Sequence, residues 1–121
     1  MRILVVDDDP LAAELTAAIL EDAGHDVVFV ENAMEALGAL KADSGFEVVI
    51  SDMNMPLIDG LELFSTLRDQ GIELPFILLT GDDPQPLRLR EPRLGVCIVK
   101  DMDLITKLPA ELAAAFAPPT E

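Results

Sequence analysis

RILVVDDDPLAAELTAAILEDAGHDVVFV, residues 2–30, joins two short apolar runs through a stretch with helical spacing. The runs at 2–6 and 26–30 are rich in Val, Leu, Ile and Phe, which is typical of strands buried on both faces of a parallel sheet. Between them, Pro10 suits the first position of a helix and Gly24 suits its end. Residues 2–30 therefore predict a strand, a helix and a second strand.

The same alternation continues along the chain. Further apolar runs predict strands at 46–51, 75–80 and 96–99. Helical spacing predicts helices over 10–23, 32–42, 60–70 and 109–117, the last opening with Pro109. The predicted core-facing stripe of the first helix consists of Leu11, Leu15, Ala18 and Ile19. This alternation favours an open α/β sheet of parallel strands joined by right-handed crossovers, with helices on both faces.

Segment 81–95, GDDPQPLRLREPRLG, departs from the pattern because it contains three prolines. Asp83 followed by Pro84 can begin a helix, and a second proline is tolerated in a first turn. Pro92, however, leaves room for only one or two turns. We expect a short, irregular or absent helix here.

Composition limits the classes of function. The chain has 121 residues, half of them apolar, and 23 acidic against 8 basic residues give a net charge of −15. This length predicts one domain, over 1–117, with a tail at 118–121. The negative field repels phosphate backbones and anionic lipid, so we expect neither direct nucleic-acid binding nor membrane binding. The single cysteine, Cys97, and the lack of a long apolar run predict a cytoplasmic protein.

Polar residues follow four of the five predicted strands. These strand-end residues are Asp7 and Asp8, Asp52, Thr80 and Lys100. Ligand sites in open parallel sheets form beyond the carboxyl ends of the strands. The sequence therefore predicts three carboxylates, a hydroxyl and an ammonium at one edge of the sheet.

These residue types suit phosphoryl chemistry. Three carboxylates in contact cannot all stay ionised without a cation, and Mg²⁺ binds carboxylates, carbonyls and phosphate oxygens. An ammonium and a hydroxyl facing that cation would complete a cradle for a phosphoryl group. A carboxylate can itself be the nucleophile and form an aspartyl phosphate. Asp52 is the best candidate because its strand is central and its loop continues through Pro56 to the turn at Asp59-Gly60.

Four segments together resemble the receiver domains of two-component response regulators, such as the single-domain chemotaxis regulator. They are VVDDD (5–9), ISDMNMPLIDGLEL (50–63), LLTGD (78–82) and IVK (98–100), in the family's order and close to its spacing. The resemblance implies a flavodoxin-like (βα)5 fold, a doubly wound parallel sheet with strand order 2-1-3-4-5. In this chain we expect its fourth helix to be short or absent.

The resemblance also implies roles for single residues. Asp52 would be the phosphoacceptor, Thr80 would bind phosphoryl oxygens and Lys100 would pair with the phosphate. Mg²⁺ would be held by Asp8, Asp52 and the backbone carbonyl of Asn54, with Asp7 helping through water. Asn54 and Asp82 occupy the two positions that tune the lifetime of the acyl phosphate in this family.

By the same resemblance, the partners are a sensor histidine kinase or histidine phosphotransfer protein and a downstream protein or fused output domain. Phosphorylation would switch partner binding, and the chain would be a signalling protein rather than an enzyme, apart from its self-catalysed phosphorylation and dephosphorylation.

Three features depart from the family pattern. Cys97 replaces the usual Tyr or Phe, Asp101 replaces a proline, and segment 81–95 is broken by proline. All three fall on the face of the fourth helix, fifth strand and fifth helix that the family commonly uses for output. The predicted phosphorylation site is complete, whereas the usual readout is altered.

Two alternatives remain at this stage. A receiver fold without the phosphorylation cycle could act as a non-catalytic interaction module. A haloacid-dehalogenase-type phosphatase could use Asp7 as nucleophile and Asp9 as acid/base, although Leu11 and the short chain disfavour it. Asp9 followed by Pro10 is also the pattern of a helix N-cap.

Overall fold

Strands and helices alternate along the chain. The structure, a computed structural model, describes residues 2–43, 45–81, 83–100, 107–110 and 112. The strands are β1 (Arg2–Val6), β2 (Asp26–Val30), β3 (Val48–Asp52), β4 (Phe76–Thr80) and β5 (Val96–Val99). The helices are α1 (Pro10–Asp22), α2 (Ala33–Ala42), α3 (Gly60–Asp69) and α4 (Gln85–Arg90). Residues 107–110 and 112 are also helical.

The five strands form one parallel sheet in the order β2-β1-β3-β4-β5. The predicted flavodoxin-like topology is therefore confirmed. The predicted short fourth helix is confirmed as well, because α4 has only six residues. β1, β3 and β4 lie inside the sheet, so their carboxyl ends are neighbours at one edge.

Two apolar layers cover the sheet. Leu4 and Val6 of β1 pack in the layer formed with α2, α3 and α4. Ile3 and Val5 point to the opposite layer, with α1 and the buried Leu108. This two-residue alternation is the reason why the apolar runs of the central strands have few interruptions.

Helix ends follow the local sequence. The backbone N–H of Leu11 donates to Asp9 Oδ1 at 3.0 Å, so Asp9 is the N-cap of α1 and Pro10 its first residue, as predicted. Gly24 follows the helix with φ 93°, a conformation that glycine adopts without strain.

The predicted stripe of α1 is wrong in three of its four positions. Leu11 is 76% exposed, and Leu15 and Ala18 are exposed too, whereas Ile19 is buried. The buried face consists of Ala13, Thr16, Ala17, Ile19 and Leu20. Apolar residues occur all around α1, so their spacing did not define one face.

The expectation of burial on both faces is wrong for β2. Val28 and Phe29 are exposed, because β2 is an edge strand that pairs only with β1. A continuous apolar run therefore does not distinguish an edge strand from a central one.

The C-terminal helix begins earlier than predicted. Residues 107 and 108 are already helical, two positions before Pro109. Pro109 is therefore not the first helical residue. The predicted extent to 117 and the tail at 118–121 lie outside the described residues. Among the helices described, none has the length and hydropathy needed to cross a membrane.

Candidate functional site

Three carboxylates meet at the carboxyl edge of the sheet. Asp7 and Asp8 follow β1, and Asp52 ends β3, the strand paired with β1. One oxygen from each of the three lies within 4.8 Å of the other two. Asp7 and Asp52 are buried and Asp8 is exposed. The structure thus brings together the acidic residues that strand-end reasoning selected.

Lys100 and Thr80 complete this edge. The ammonium of Lys100 is in contact with Asp52 Oδ1. The backbone N–H of Lys100 donates to the carbonyl of Thr80 at 2.7 Å, and Thr80 is buried at the end of β4. A positive charge therefore lies directly against one of the three carboxylates.

Charge remains poorly balanced at Asp7. Burial raises the pKa of this carboxyl, and the charges of Asp52 and Asp8 add to the shift. The backbone N–H of Asp9, which donates to Asp7 Oδ1 at 3.0 Å, and the charge of Lys100 act in the opposite direction. Carboxylate oxygens converging in this way form a donor set of the kind that suits a hard divalent cation such as Mg²⁺.

Gly60 positions the loop between β3 and α3, a role that the sequence reasoning missed. A Cβ at Gly60 would lie 2.4 Å from the carbonyl oxygen of Asp52 and 2.6 Å from Leu78 Cδ1. The N–H of Gly60 also donates to the carbonyl of Met53 at 2.9 Å. Only glycine lets α3 begin this close to Asp52. The Asp59-Gly60 pair was visible in the sequence, although it indicated no more than a turn.

Asn54 and Asp82 were also predicted as site residues. Asn54 is exposed in the loop two residues after Asp52, and its role as a metal ligand stays a prediction. Asp82 lies outside the described residues.

Comparison with known proteins agrees with this geometry. The sequence profile of the response regulator receiver domain matches residues 3–111. The chain belongs to this family.

Two curated relatives illustrate the kinship of this receiver domain. It is 36% identical over 94 residues to the C4-dicarboxylate transport transcriptional regulatory protein DctD of Pseudomonas aeruginosa, covering 78% of the chain and 20% of DctD. It is 34% identical over 94 residues to the transcriptional regulatory protein FixJ of Bradyrhizobium diazoefficiens, covering 78% of the chain and 45% of FixJ. The chain thus spans less than half the length of either relative.

Among solved structures, the receiver domain is similar to the response regulator protein TrrA of Thermotoga maritima, crystallised in complex with Mg²⁺-BeF. The TM-score is 0.84 at 31% identity, and the match covers 93% of this chain and 96% of TrrA. The arrangement of strand ends described above therefore belongs to a known receiver fold.

The α4–β5 side of this receiver domain carries the residues that depart from the family pattern. Cys97 of β5 is partly buried against the layer of α2, α3 and α4, and burial raises the pKa of its thiol. Leu87 is buried, whereas Leu89 on the same short helix is exposed. Asp101, the third departure from the family pattern, lies outside the described residues.

A second polar cluster, which the sequence reasoning also missed, ties this side to α3. Glu91 is 8% exposed and accepts a hydrogen bond from Ser65 Oγ at 2.7 Å. Arg93 donates to both carboxylate oxygens of Glu91, from Nε at 2.8 Å and from Nη2 at 3.0 Å. Arg93 also pairs with Asp69 at 3.2 Å. Ser65 is 26 residues from Glu91, so no local pattern indicated this contact.

Proposed function

We propose that this receiver domain is a phosphoacceptor switch that takes a phosphoryl group onto Asp52 from a histidine kinase or histidine phosphotransfer protein. The contact of Lys100 with Asp52, at the point where Asp7 and Asp8 converge on the same carboxylate, carries the proposal. Phosphorylation then alters the binding of a downstream protein or a fused output domain, and we place the reaction in the cytoplasm.

Each residue has a distinct part in the proposed reaction. An oxygen of Asp52 attacks phosphorus, its bond to phosphorus forms, and the bond between phosphorus and the donor imidazole nitrogen breaks. The imidazole leaves with the electron pair. Lys100 pairs with the charge on the phosphoryl oxygens, and the Thr80 hydroxyl binds another of these oxygens.

Mg²⁺ fits this donor set, which consists of oxygen atoms and is rich in negative charge. Asp7, Asp8, Asp52 and the backbone carbonyl of Asn54 would hold it. When bound, the cation supplies neutralising charge for the phosphoryl oxygens. Burial is the main reason why the pKa of Asp7 is raised, and the cation would relieve the repulsion from Asp52 and Asp8 that adds to it.

The phosphatase alternative is disfavoured by Asp9. Its carboxylate caps α1 by accepting the N–H of Leu11, and its side chain is exposed rather than aimed into the cluster of Asp7, Asp8 and Asp52. An acid/base residue would have to reach the reacting oxygen.

The test is labelling with acetyl phosphate in the presence of Mg²⁺, followed by intact-mass measurement. We expect one added phosphoryl group that is stable in acid and labile in base. Asp52→Asn should lose the label, whereas Asp7→Asn should keep it at a lower rate. Label lost in Asp7→Asn but kept in Asp52→Asn would favour the phosphatase.

A beryllofluoride control covers the case in which acetyl phosphate is a poor donor. We expect fluorine NMR to show Mg²⁺-dependent beryllofluoride binding to the wild type and none to Asp52→Asn. Neither label nor beryllofluoride binding would leave a non-catalytic interaction module.

A further inference from the structure

Leu57 lies in the loop between β3 and α3 in a strained conformation. Its φ is 70°, and within the described part of the chain it is the one residue other than glycine with a positive φ. A branched side chain is disfavoured in this left-handed region. Leu57 is also 97% exposed, so packing within the domain does not offset the strain.

The loop holds Leu57 in this position. The N–H of Ile58 donates to the carbonyl of Pro56 at 2.8 Å, and the N–H of Gly60 donates to the carbonyl of Met53 at 2.9 Å. The side chains on either side of this turn, Met55 and Ile58, pack against the core. Leu57 is therefore presented to solvent by a loop that is fixed on both sides.

Leu57 borders a mostly apolar groove with a volume of about 160 Å³. Its lining is shared between the start of α2 and the loop, and comprises Asn32, Ala33, Met34, Pro56, Leu57 and Ile58. Met34 is 65% exposed. We call Met34, Pro56 and Leu57 the Met34–Leu57 patch. Its composition suits an apolar side chain of a partner.

Acidic residues flank the patch. Exposed Glu31 and Glu35 lie on either side of Met34 in the chain. The net charge of −15 adds a field of the same sign. A complementary partner surface would carry an apolar side chain surrounded by Lys and Arg.

We propose that the Met34–Leu57 patch docks the phosphodonor protein, through an apolar side chain with basic neighbours close to its phosphohistidine. The loop that presents Leu57 leaves the end of β3 after Asp52 and returns to it at Gly60, where an added Cβ would lie 2.4 Å from the Asp52 carbonyl oxygen. A protein seated on the patch is therefore held close to the strand end that carries the acceptor carboxylate. The proposal rests on the phosphoacceptor function. It adds Leu57 as a residue that determines which donor is recognised.

The test compares phosphotransfer from a protein donor with labelling by acetyl phosphate. The probes are the purified histidine kinases of the source organism, autophosphorylated with radiolabelled ATP, and the kinase that labels the wild type fastest is used for all variants. Leu57→Asn removes the apolar side chain and keeps a residue that tolerates positive φ. We expect a fall of about tenfold in its transfer rate from the kinase. Acetyl phosphate labelling and thermal stability should not fall.

Two matched variants define the outcome. Leu57→Met keeps an apolar side chain and should retain the wild-type transfer rate within about twofold. Leu89→Asn makes the same chemical change at an exposed leucine on α4 and should also transfer normally. An unchanged rate in Leu57→Asn, or an equal fall in Leu89→Asn, would overturn the docking proposal. So would wild-type labelling by acetyl phosphate but by no kinase, whereas a wild type labelled by neither contradicts the phosphoacceptor function itself.

Discussion

Asp7 and Glu91 are both buried carboxylates, yet their surroundings differ. Glu91 receives hydrogen bonds from Arg93 and Ser65, and these lower its pKa to about 2. Asp7 lies among other acidic groups at the end of β1, and burial together with Asp52 and Asp8 raises its pKa. Because its carboxylate is fully hydrogen-bonded and paired with Arg93, Glu91 stabilises the fold. The negative charge at Asp7 is not neutralised by the protein, as is expected of a cation site before the cation binds.

The largest effect on stability is expected from a substitution at Gly60, which lies against Asp52 in the carboxylate cluster that contains Asp7. Gly60→Ala should lower the free energy of unfolding by about 3 kcal/mol, because the new Cβ meets the Asp52 carbonyl, a backbone atom that cannot rotate away. Urea denaturation measures the loss.

Gly38→Ala is the matched control. Gly38 lies in α2 with no heavy atom within 4 Å of an added Cβ, so this change should stabilise the protein by about 0.5–1 kcal/mol. Equal effects of the two substitutions would mean that α3 does not pack tightly against Asp52.

Glu91→Gln should weaken the pairing between Glu91 and Arg93. We expect a loss of about 2 kcal/mol in the free energy of unfolding, because charge-assisted hydrogen bonds to Arg93 are weakened inside a buried site. Urea denaturation of Glu73→Gln, an exposed site, serves as the control and should show no change. A neutral effect of Glu91→Gln would remove the contrast with Asp7.

Asp7→Asn should change stability in the opposite direction. Without Mg²⁺ we expect a gain of about 1 kcal/mol, because one of three neighbouring negative charges is removed. Mg²⁺ affinity, followed by isothermal titration calorimetry, should fall by about tenfold. Asp26→Asn, at an exposed position on β2, should alter neither quantity. Destabilisation of the metal-free Asp7→Asn protein would contradict the proposed charge imbalance.

The pH dependence of stability should show whether Glu91 stabilises the fold through its ion pair or through packing. Of the four predicted effects, this is the smallest. Its pKa is lowered from 4.5 to about 2 in the folded protein, so its ionic contribution is present above pH 4.5 and is lost as the pH falls toward 2. The stability difference between wild type and Glu91→Gln should therefore shrink over this interval. Denaturant unfolding of both proteins measures it, and a difference that is constant with pH would assign the effect to packing alone.

The fold and most of the candidate site could be predicted because they depend on local patterns. Apolar runs located the five strands, and the polar residues at the carboxyl ends of these runs located Asp7, Asp52 and Lys100. Parallel strands bring their carboxyl ends to one edge, so a position in the sequence is sufficient to place such a residue.

Other features depend on contacts that no local pattern encodes. α1 has apolar residues on more than one side, so spacing alone could not show that Ile19 and Leu20 pack on the sheet while Leu11 and Leu15 are exposed. Glu91 can accept a hydrogen bond from Ser65 only because α3 packs against the turn beyond α4. The close approach of Gly60 to Asp52 likewise requires the path of the whole loop.

The hydrogen bond from the Lys100 N–H to the Thr80 carbonyl has a mechanical consequence. It extends the β4–β5 pairing one step beyond the last paired residues, Thr80 and Val99, and so links the two residues that we propose to contact the phosphoryl group. A displacement of either strand end would therefore carry the backbones of Thr80 and Lys100 together. We therefore expect that a movement of Thr80 toward the phosphoryl group would also shift the end of β5, the strand that carries Cys97.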